Sequence, residues 1–114
     1  MPPEILKYLY DIKVAAESIF EYLGEKRDFN IYLSNKQLRR AIERELEIIG
    51  EACHKILKID PEFPIAKSRK IVDFRNRVIH GYDKVDNELV WGVISRDLLI
   101  LQAEVEKLID VQGA

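Results

Sequence analysis

An all-α, up-and-down bundle of four to five helices in a single domain over residues 1–114 is what this sequence predicts. Apolar residues recur at three- and four-residue spacing along nearly the whole chain, the breaks between such runs fall at Gly and Pro, and strand-like alternation between turn residues is absent. Internal repeats and low-complexity tracts are missing too.

Ile5, Leu9, Ile12, Ala16, Ile19 and Leu23 form the first stripe, with Lys7, Asp11, Lys13, Glu17 and Glu21 between them. They predict a helix over about 4–23 that stops at Gly24. Glu25 to Asn30 reads as a polar connection, in which Lys26, Arg27 and Asp28 have nothing obvious to bury. Ser34-Asn35-Lys36-Gln37 has the form of a capping box, so a second helix should begin at Ser34. Its stripe is Leu38, Ile42, Leu46, Ile49, Cys53 and Ile56/Leu57, and Asp60-Pro61-Glu62-Phe63-Pro64 ends it. Ile71, Phe74 and Val78, flanked by Val72 and Ile79, predict a third helix from Ile65 to His80, closed by Gly81. After a short link, Asp86 can cap a fourth helix over about 87–111. Its face is Leu89, Val90, Val93, Ile94, Leu98, Leu101, Val105 and Leu108, and Leu99 and Ile100 widen it enough to suggest a partner helix and a dimer.

With 114 residues, 47% of them hydrophobic, the chain can build a core without disulfides or metal. The single cysteine, Cys53, cannot form an internal bridge, and with only His54 and His80 beside it a zinc or iron–sulfur site is nearly excluded. Neither a leader nor a membrane span is evident, so a cytoplasmic protein is expected. No Walker A, Gly-x-Gly-x-x-Gly, Cys-x-x-Cys or His-Glu-x-x-His pattern occurs, and no bound cofactor is implied.

A net charge of −2 argues against coating nucleic acid by bulk positive charge. The charge is unevenly placed, however. Residues 66–84 hold Lys67, Arg69, Lys70, Arg75, Arg77 and Lys84 against Asp73 and Asp83, which is +4 and leaves −6 on the remaining 95 residues. A solvated helix face is the ordinary explanation of such a run. Inside it, Arg75 offers a fork matching phosphate oxygens, and His80 is able to exchange protons near neutral pH. Together they have the chemistry for metal-free phosphodiester cleavage, one managing proton transfer and the other stabilising charge on the phosphorane. Five residues of ideal helix leave the two roughly 140° apart around the axis. Aiming both at one phosphate requires a distorted last turn or a two-fold dimer that pairs the helices.

Asp73-Phe74-Arg75-Asn76-Arg77-Val78-Ile79-His80-Gly81-Tyr82 resembles the signature of the HepT-like branch of the HEPN superfamily. Ala41 to Ala52 resembles that family's long helix, and Val85-Asp86-Asn87-Glu88-Leu89-Val90-Trp91 its entry to the last one. The resemblance covers nearly the whole chain. It implies an all-helical homodimer that cleaves RNA without metal, the toxin of a pair whose antitoxin is an MntA-type nucleotidyltransferase. Arg75 and His80 then fall on the catalytic pair, Asn76 on the polar position after the arginine, and Tyr82 on the tyrosine that the partner modifies with AMP. Where the family usually has Pro-Trp, this chain has Pro64-Ile65, a departure that touches packing or substrate approach.

Arg77, Lys84, Lys67, Arg69 and Lys70 are read as steering RNA or contacting the partner, with a solvated face as the alternative. Cys53 is a small core residue on this reading, and Trp91, Tyr8, Tyr10 and Tyr22 belong to core or interface. His54 stands about 100° from Cys53 on the helix, a poor metal pair, while Arg44 could point toward the site from its neighbouring helix. Two other functions compete: a non-catalytic helical module that binds nucleotide or RNA and a nucleotidyltransferase partner, and a purely structural dimer.

Overall fold

The structure is a computed structural model that describes residues 2–65 and 86–113. Within these, α1 runs Pro3–Leu23, α2 Phe29–Ser34 and α3 Lys36–Ile59; α4, Asn87–Gly92, continues through a π turn, Val93–Asp97, into α5, Leu98–Gly113. No strand occurs among the described residues, in keeping with the all-α expectation. The predicted third helix lies outside them.

α1 begins with Pro at its first position, where the missing N–H would have had no intrahelical partner anyway. It ends at Gly24, whose φ of +68° is open to glycine and whose N–H donates to the Phe20 carbonyl. Ile5, Leu9, Ile12, Ala15, Ala16 and Ile19 form its buried face, and that face packs mainly on α3 and then on α5. Lys55 of α3 lies over the Tyr8 ring at 5.6 Å, which runs the C-terminal half of α3 beside the N-terminal half of α1.

The connection after α1 contains a helix that periodicity did not reveal. Asp28 accepts hydrogen bonds from the N–H groups of Asn30 and Ile31, at 2.7 and 3.4 Å, and so caps six residues of α2. Arg27 has a purpose as well, since its guanidinium stands 4.6 Å from the Phe20 ring centroid. Only Tyr32 of α2 is buried, while Ile31 and Leu33 face outward. A six-residue helix cannot hold itself in water. Tyr32 and the Arg39 guanidinium, which donates to the Leu33 carbonyl, dock it on its neighbours.

The start of α3 corrects the predicted cap. Asn35, extended at φ −111° and ψ 100°, is the capping residue, and its Oδ1 accepts from the Leu38 N–H at 3.0 Å. Ser34 is still the last residue of α2 and donates to the Ile31 carbonyl. That shift of one residue puts Leu38, not Gln37, at the third helical position, so the capping box does not form. Downstream the predicted stripe stands: Ile42, Leu46, Ile49, Cys53 and Ile56 are fully buried, while Leu38 and Leu57 are half-buried.

Asp86 caps α4 as expected, accepting from the Leu89 N–H at 3.1 Å. The single helix predicted over 87–111 is interrupted, because the Leu98 N–H reaches back five residues to the Val93 carbonyl. The cause lies in the apolar spacing. Nineteen residues separate the buried Val90 and Ile109, about 100° more than five whole turns of α-helix. Absorbing one extra residue in a π turn brings the two into line. Val90, Val93, Ile94, Leu98, Leu101, Val105 and Ile109 thereby make one buried stripe, with Leu108 displaced to a half-buried flank. Leu99 and Ile100 stay outside it, 40% and 44% exposed. Among the described residues no helix is long and apolar enough to cross a membrane.

Inserting one alanine after Ser95, an exposed residue of the π turn, adds a second extra residue and should turn Leu101, Val105 and Ile109 by about 100° out of the core. Three aliphatic side chains returned to water cost roughly 5 kcal/mol, enough to unfold a domain of ordinary stability. Ser95→Ala should stay within about 0.5 kcal/mol of the parent in urea titration, so equal stability of the two variants would refute the register argument. The Cys53 thiol is fully buried and burial pushes its pKa up to about 12. It should therefore resist a thiol reagent at pH 8 until denaturant is added, as mass spectrometry can follow.

Candidate functional site

Every residue that the sequence places in the site, namely Arg75, Asn76, His80, Tyr82, Arg77, Lys84, Lys67, Arg69 and Lys70, lies outside the described residues. What the structure gives is the frame on either side of them. On the near side, Ile65 is 5% exposed and joins the core, with Phe63 packed against that core. The position at which the chain departs from the familiar Pro-Trp is therefore a packing position, filled here by an aliphatic side chain. The chain resumes at Asp86, fixed as the cap of α4.

The start of α4 is held to α2 by aromatic rings. Tyr32, fully buried, lies 5.5 Å from Trp91 and 6.3 Å from Phe29, and Phe29 lies 5.6 Å from Trp91, centroid to centroid. These separations suit tilted and offset ring pairs. The Tyr32 hydroxyl donates to Asn87 Oδ1 across a long 3.5 Å. Burial first, and the nearby Glu43 carboxylate second, push the phenol far above its ordinary range, so it remains a protonated donor. Glu43 is itself buried on α3 and meets Arg40 at 3.3 Å. None of this was visible as a site in the sequence, because Phe29 sits in what reads as a polar connection, Tyr32 falls between that connection and the next predicted helix, and the contacts join residues about sixty positions apart.

Beside that cluster, a cavity of about 280 Å³ is lined by Asp86, Glu88, Leu89, Gly92, Val93, Arg96 and Asp97. Gly92 lies inside a continuous helical rod, and a Cβ there would come within 3.3 Å of Arg96 Nη2. The glycine thus gives the guanidinium room to lie close to the helix. Asp97, the last residue of the π turn, is 3% exposed.

A second groove, also about 280 Å³, runs between α1 and α3. Here Arg44 pairs with Glu47 at 3.3 Å and Lys7 with Asp11 at 3.5 Å, so the structure places Arg44 in the α1–α3 groove. The groove carries as many carboxylates as cations, Asp11, Glu47 and Glu51 against Lys7, Arg44 and Lys55, and so offers phosphate no net attraction. Its ion pairs are largely exposed and contribute little to stability. Cys53 faces the core while His54 is exposed, which separates the two as possible ligands. Of the aromatics, Trp91 and Tyr8 are half-buried, whereas Tyr10 and Tyr22 are about 45% exposed.

The family model described as "Ribonuclease HepT-like" matches residues 12–108. A Methanocaldococcus jannaschii protein provisionally named an RNase is 35% identical over 104 residues, 90% of this chain and 94% of its own length. A second from the same organism, likewise provisionally named, is 32% identical over 99% of this chain and 95% of its own. "Probable ribonuclease HepT" of Thermococcus cleftensis is 36% identical over 105 residues, covering 89% of this chain and 92% of the relative. No solved structure matches. Matched along most of its length by that model and by relatives of nearly its own size, the chain belongs to the HepT-like ribonuclease family.

Proposed function

We propose that this chain is the toxin of a toxin–antitoxin pair, a metal-independent endoribonuclease whose site is formed by Arg75 and His80 across a homodimer interface. The observation that carries the proposal is the motif Arg75-x4-His80-Gly81-Tyr82, standing inside a chain of the HepT-like ribonuclease family. In the reaction a base takes the ribose 2′-hydroxyl proton and the resulting alkoxide attacks phosphorus. The bond to the 5′ oxygen breaks as an acid protonates it, leaving a 2′,3′-cyclic phosphate and a 5′-hydroxyl end. Arg75 stabilises the charge on the phosphorane, His80 transfers protons, and Asn76 orients the phosphate. One motif histidine per chain cannot be base and acid at once. A two-fold pair supplies both.

Support for the dimer comes from Leu99 and Ile100, two large aliphatic residues exposed side by side on α5. Arg77, Lys84, Lys67, Arg69 and Lys70 raise the local RNA concentration, since a +4 segment on a net −2 protein focuses attraction for phosphate at one place. Tyr82 is the point of control. A nucleotidyltransferase partner of the MntA type activates its phenol oxygen for attack on the α-phosphorus of ATP. Pyrophosphate leaves, and the AMP now carried two residues from His80 sets a negative charge where RNA phosphate must bind. A cytoplasmic location accompanies this reading.

Purified protein incubated with total RNA and a chelator should generate cyclic-phosphate ends, and Arg75→Ala and His80→Ala should each slow this by about 100-fold or more. Cleavage that persists in both variants would refute the assigned site, and RNA binding without cleavage in the parent would favour the non-catalytic module. Co-expression with the partner nucleotidyltransferase should add one adenylyl group to the intact mass. Its persistence in Tyr82→Phe would place the acceptor elsewhere.

A further inference from the structure

Two helix ends carry charge of the sign that their own dipoles disfavour. α3 opens with Lys36, Arg39 and Arg40 in its first two turns and has no carboxylate in the first. α5 closes with Glu106 and Asp110 and has no cation in its last turn. Anions stabilise the N-terminus of a helix and cations its C-terminus, so both helices would gain from an exchange of the two sets. Elsewhere the preference is kept, with Glu4 in the first turn of α1 and Glu88 in that of α4. The two ends also lie far apart. Phe29 and Tyr32 hold α2, which α3 follows after one residue, beside Trp91 at the start of the last rod. Asp110 is nineteen residues farther along that rod, roughly 28 Å away. Each end carries exposed aliphatic surface as well: Ile31 and Leu33, at 52% and 43%, beside the cations, and Val111, at 64%, beside Asp110.

We infer that these ends are the two halves of a head-to-tail contact between copies of this chain, in which the α2–α3 corner of one copy receives the C-terminal half of α5 of the next. Charge complementarity selects that occupant. Phe29 to Ile42 contains three cations and no carboxylate, while Leu98 to Val111 contains three carboxylates against Lys107. Lys36 and Arg40 stand four residues apart on an exposed row of α3, and Glu106 and Asp110 four apart on an exposed row of α5. Rows of equal pitch and opposite sign can thus face each other, with aliphatic side chains of both copies alongside. Arg40 remains available, since 66% of its side chain is exposed although it meets Glu43. Their separation keeps the two ends from meeting within one chain. Joining two different surfaces, the contact repeats from copy to copy unless a ring closes. It needs neither the ribonuclease reading nor the proposed two-fold dimer, and it does not use Leu99 or Ile100. Exposed ion pairs are individually weak, so the contact holds only through several together and dissolves in salt.

Sedimentation of the full-length protein tests this. At about 0.01 M salt, where charges act over about 30 Å, the weight-average mass should climb at least about twofold with protein concentration. At about 1 M salt, where that range is about 3 Å, it should fall to a constant base value. Glu106→Lys with Asp110→Lys brings α5 into line with its dipole, keeps the fold by circular dichroism, and should abolish the climb. Lys36→Glu with Arg40→Gln should abolish it too. Mixing the two variants should recover it, because each retains the face that the other lacks. If the Arg40 change beside buried Glu43 prevents folding, Lys36→Glu alone takes its place in the mixture. A parent mass indifferent to concentration and salt would overturn the inference, as would folded variants that associate like the parent or a mixture that stays at the base mass. RNA retention that Lys36→Glu abolishes, in a parent that does not self-associate, would give the corner to a phosphate backbone instead.

Discussion

The described architecture turns on one mismatch of periods. The final helical rod must present Val90 at one end and Ile109 at the other to the same neighbours, and an unbroken α-helix would carry them about 100° apart. Five residues wound as a π turn remove the difference. Because the rod packs on α1, and α1 in turn on α3, its register decides whether α1 meets a continuous apolar wall. A π turn weakens local hydrogen bonding, and seven buried aliphatic side chains along the rod more than offset that cost.

The two long periodic helices, α1 and α3, were legible because periodicity and packing agree there: each offers one stripe, bounded by Gly24 or by the Asp60–Pro64 stop, and each stripe is buried. α2 was illegible for the opposite reason. It is shorter than any helix that local propensity sustains, and its reason to exist is a tertiary contact with residues on α4. The cap at α3 failed by a single residue because Ser34 and Asn35 are both good capping residues, and the choice fell to the end of α2, which the sequence had hidden. The π turn could have been suspected from the one feature that did not fit, a stripe on the last helix too wide for a single surface.

The candidate site was legible in a different sense. Arg75, His80 and Tyr82 stand out through chemistry and motif, neither of which depends on packing, whereas the meeting of α2 with α4 through Phe29, Tyr32 and Trp91 is purely a matter of packing. A motif search therefore finds candidate reacting groups and misses tertiary contacts such as these. Charge shows the same division. The excess of cations over 66–84 can be counted directly, but that the α1–α3 groove is electrically balanced emerges only when Lys7, Arg44 and Lys55 are seen beside Asp11, Glu47 and Glu51. That groove offers an RNA backbone no net charge, and on the proposed reading the attraction falls to the basic segment.

The register device and the proposed dimer are connected. By lining up Leu98, Leu101, Val105 and Ile109 with Val90 and Val93, the π turn consumes the apolar residues that α1 can cover and leaves Leu99 and Ile100 turned away from it. The same turn ends at Asp97 and bears Arg96 over Gly92, beside the cavity that begins at Asp86. One extra residue of winding thus sets the core of the last helix and shapes the cavity wall beside the start of α4. On the proposed reading, in which each chain of the pair contributes one motif histidine, pairing depends on the surface that this single distortion in the last helix leaves exposed.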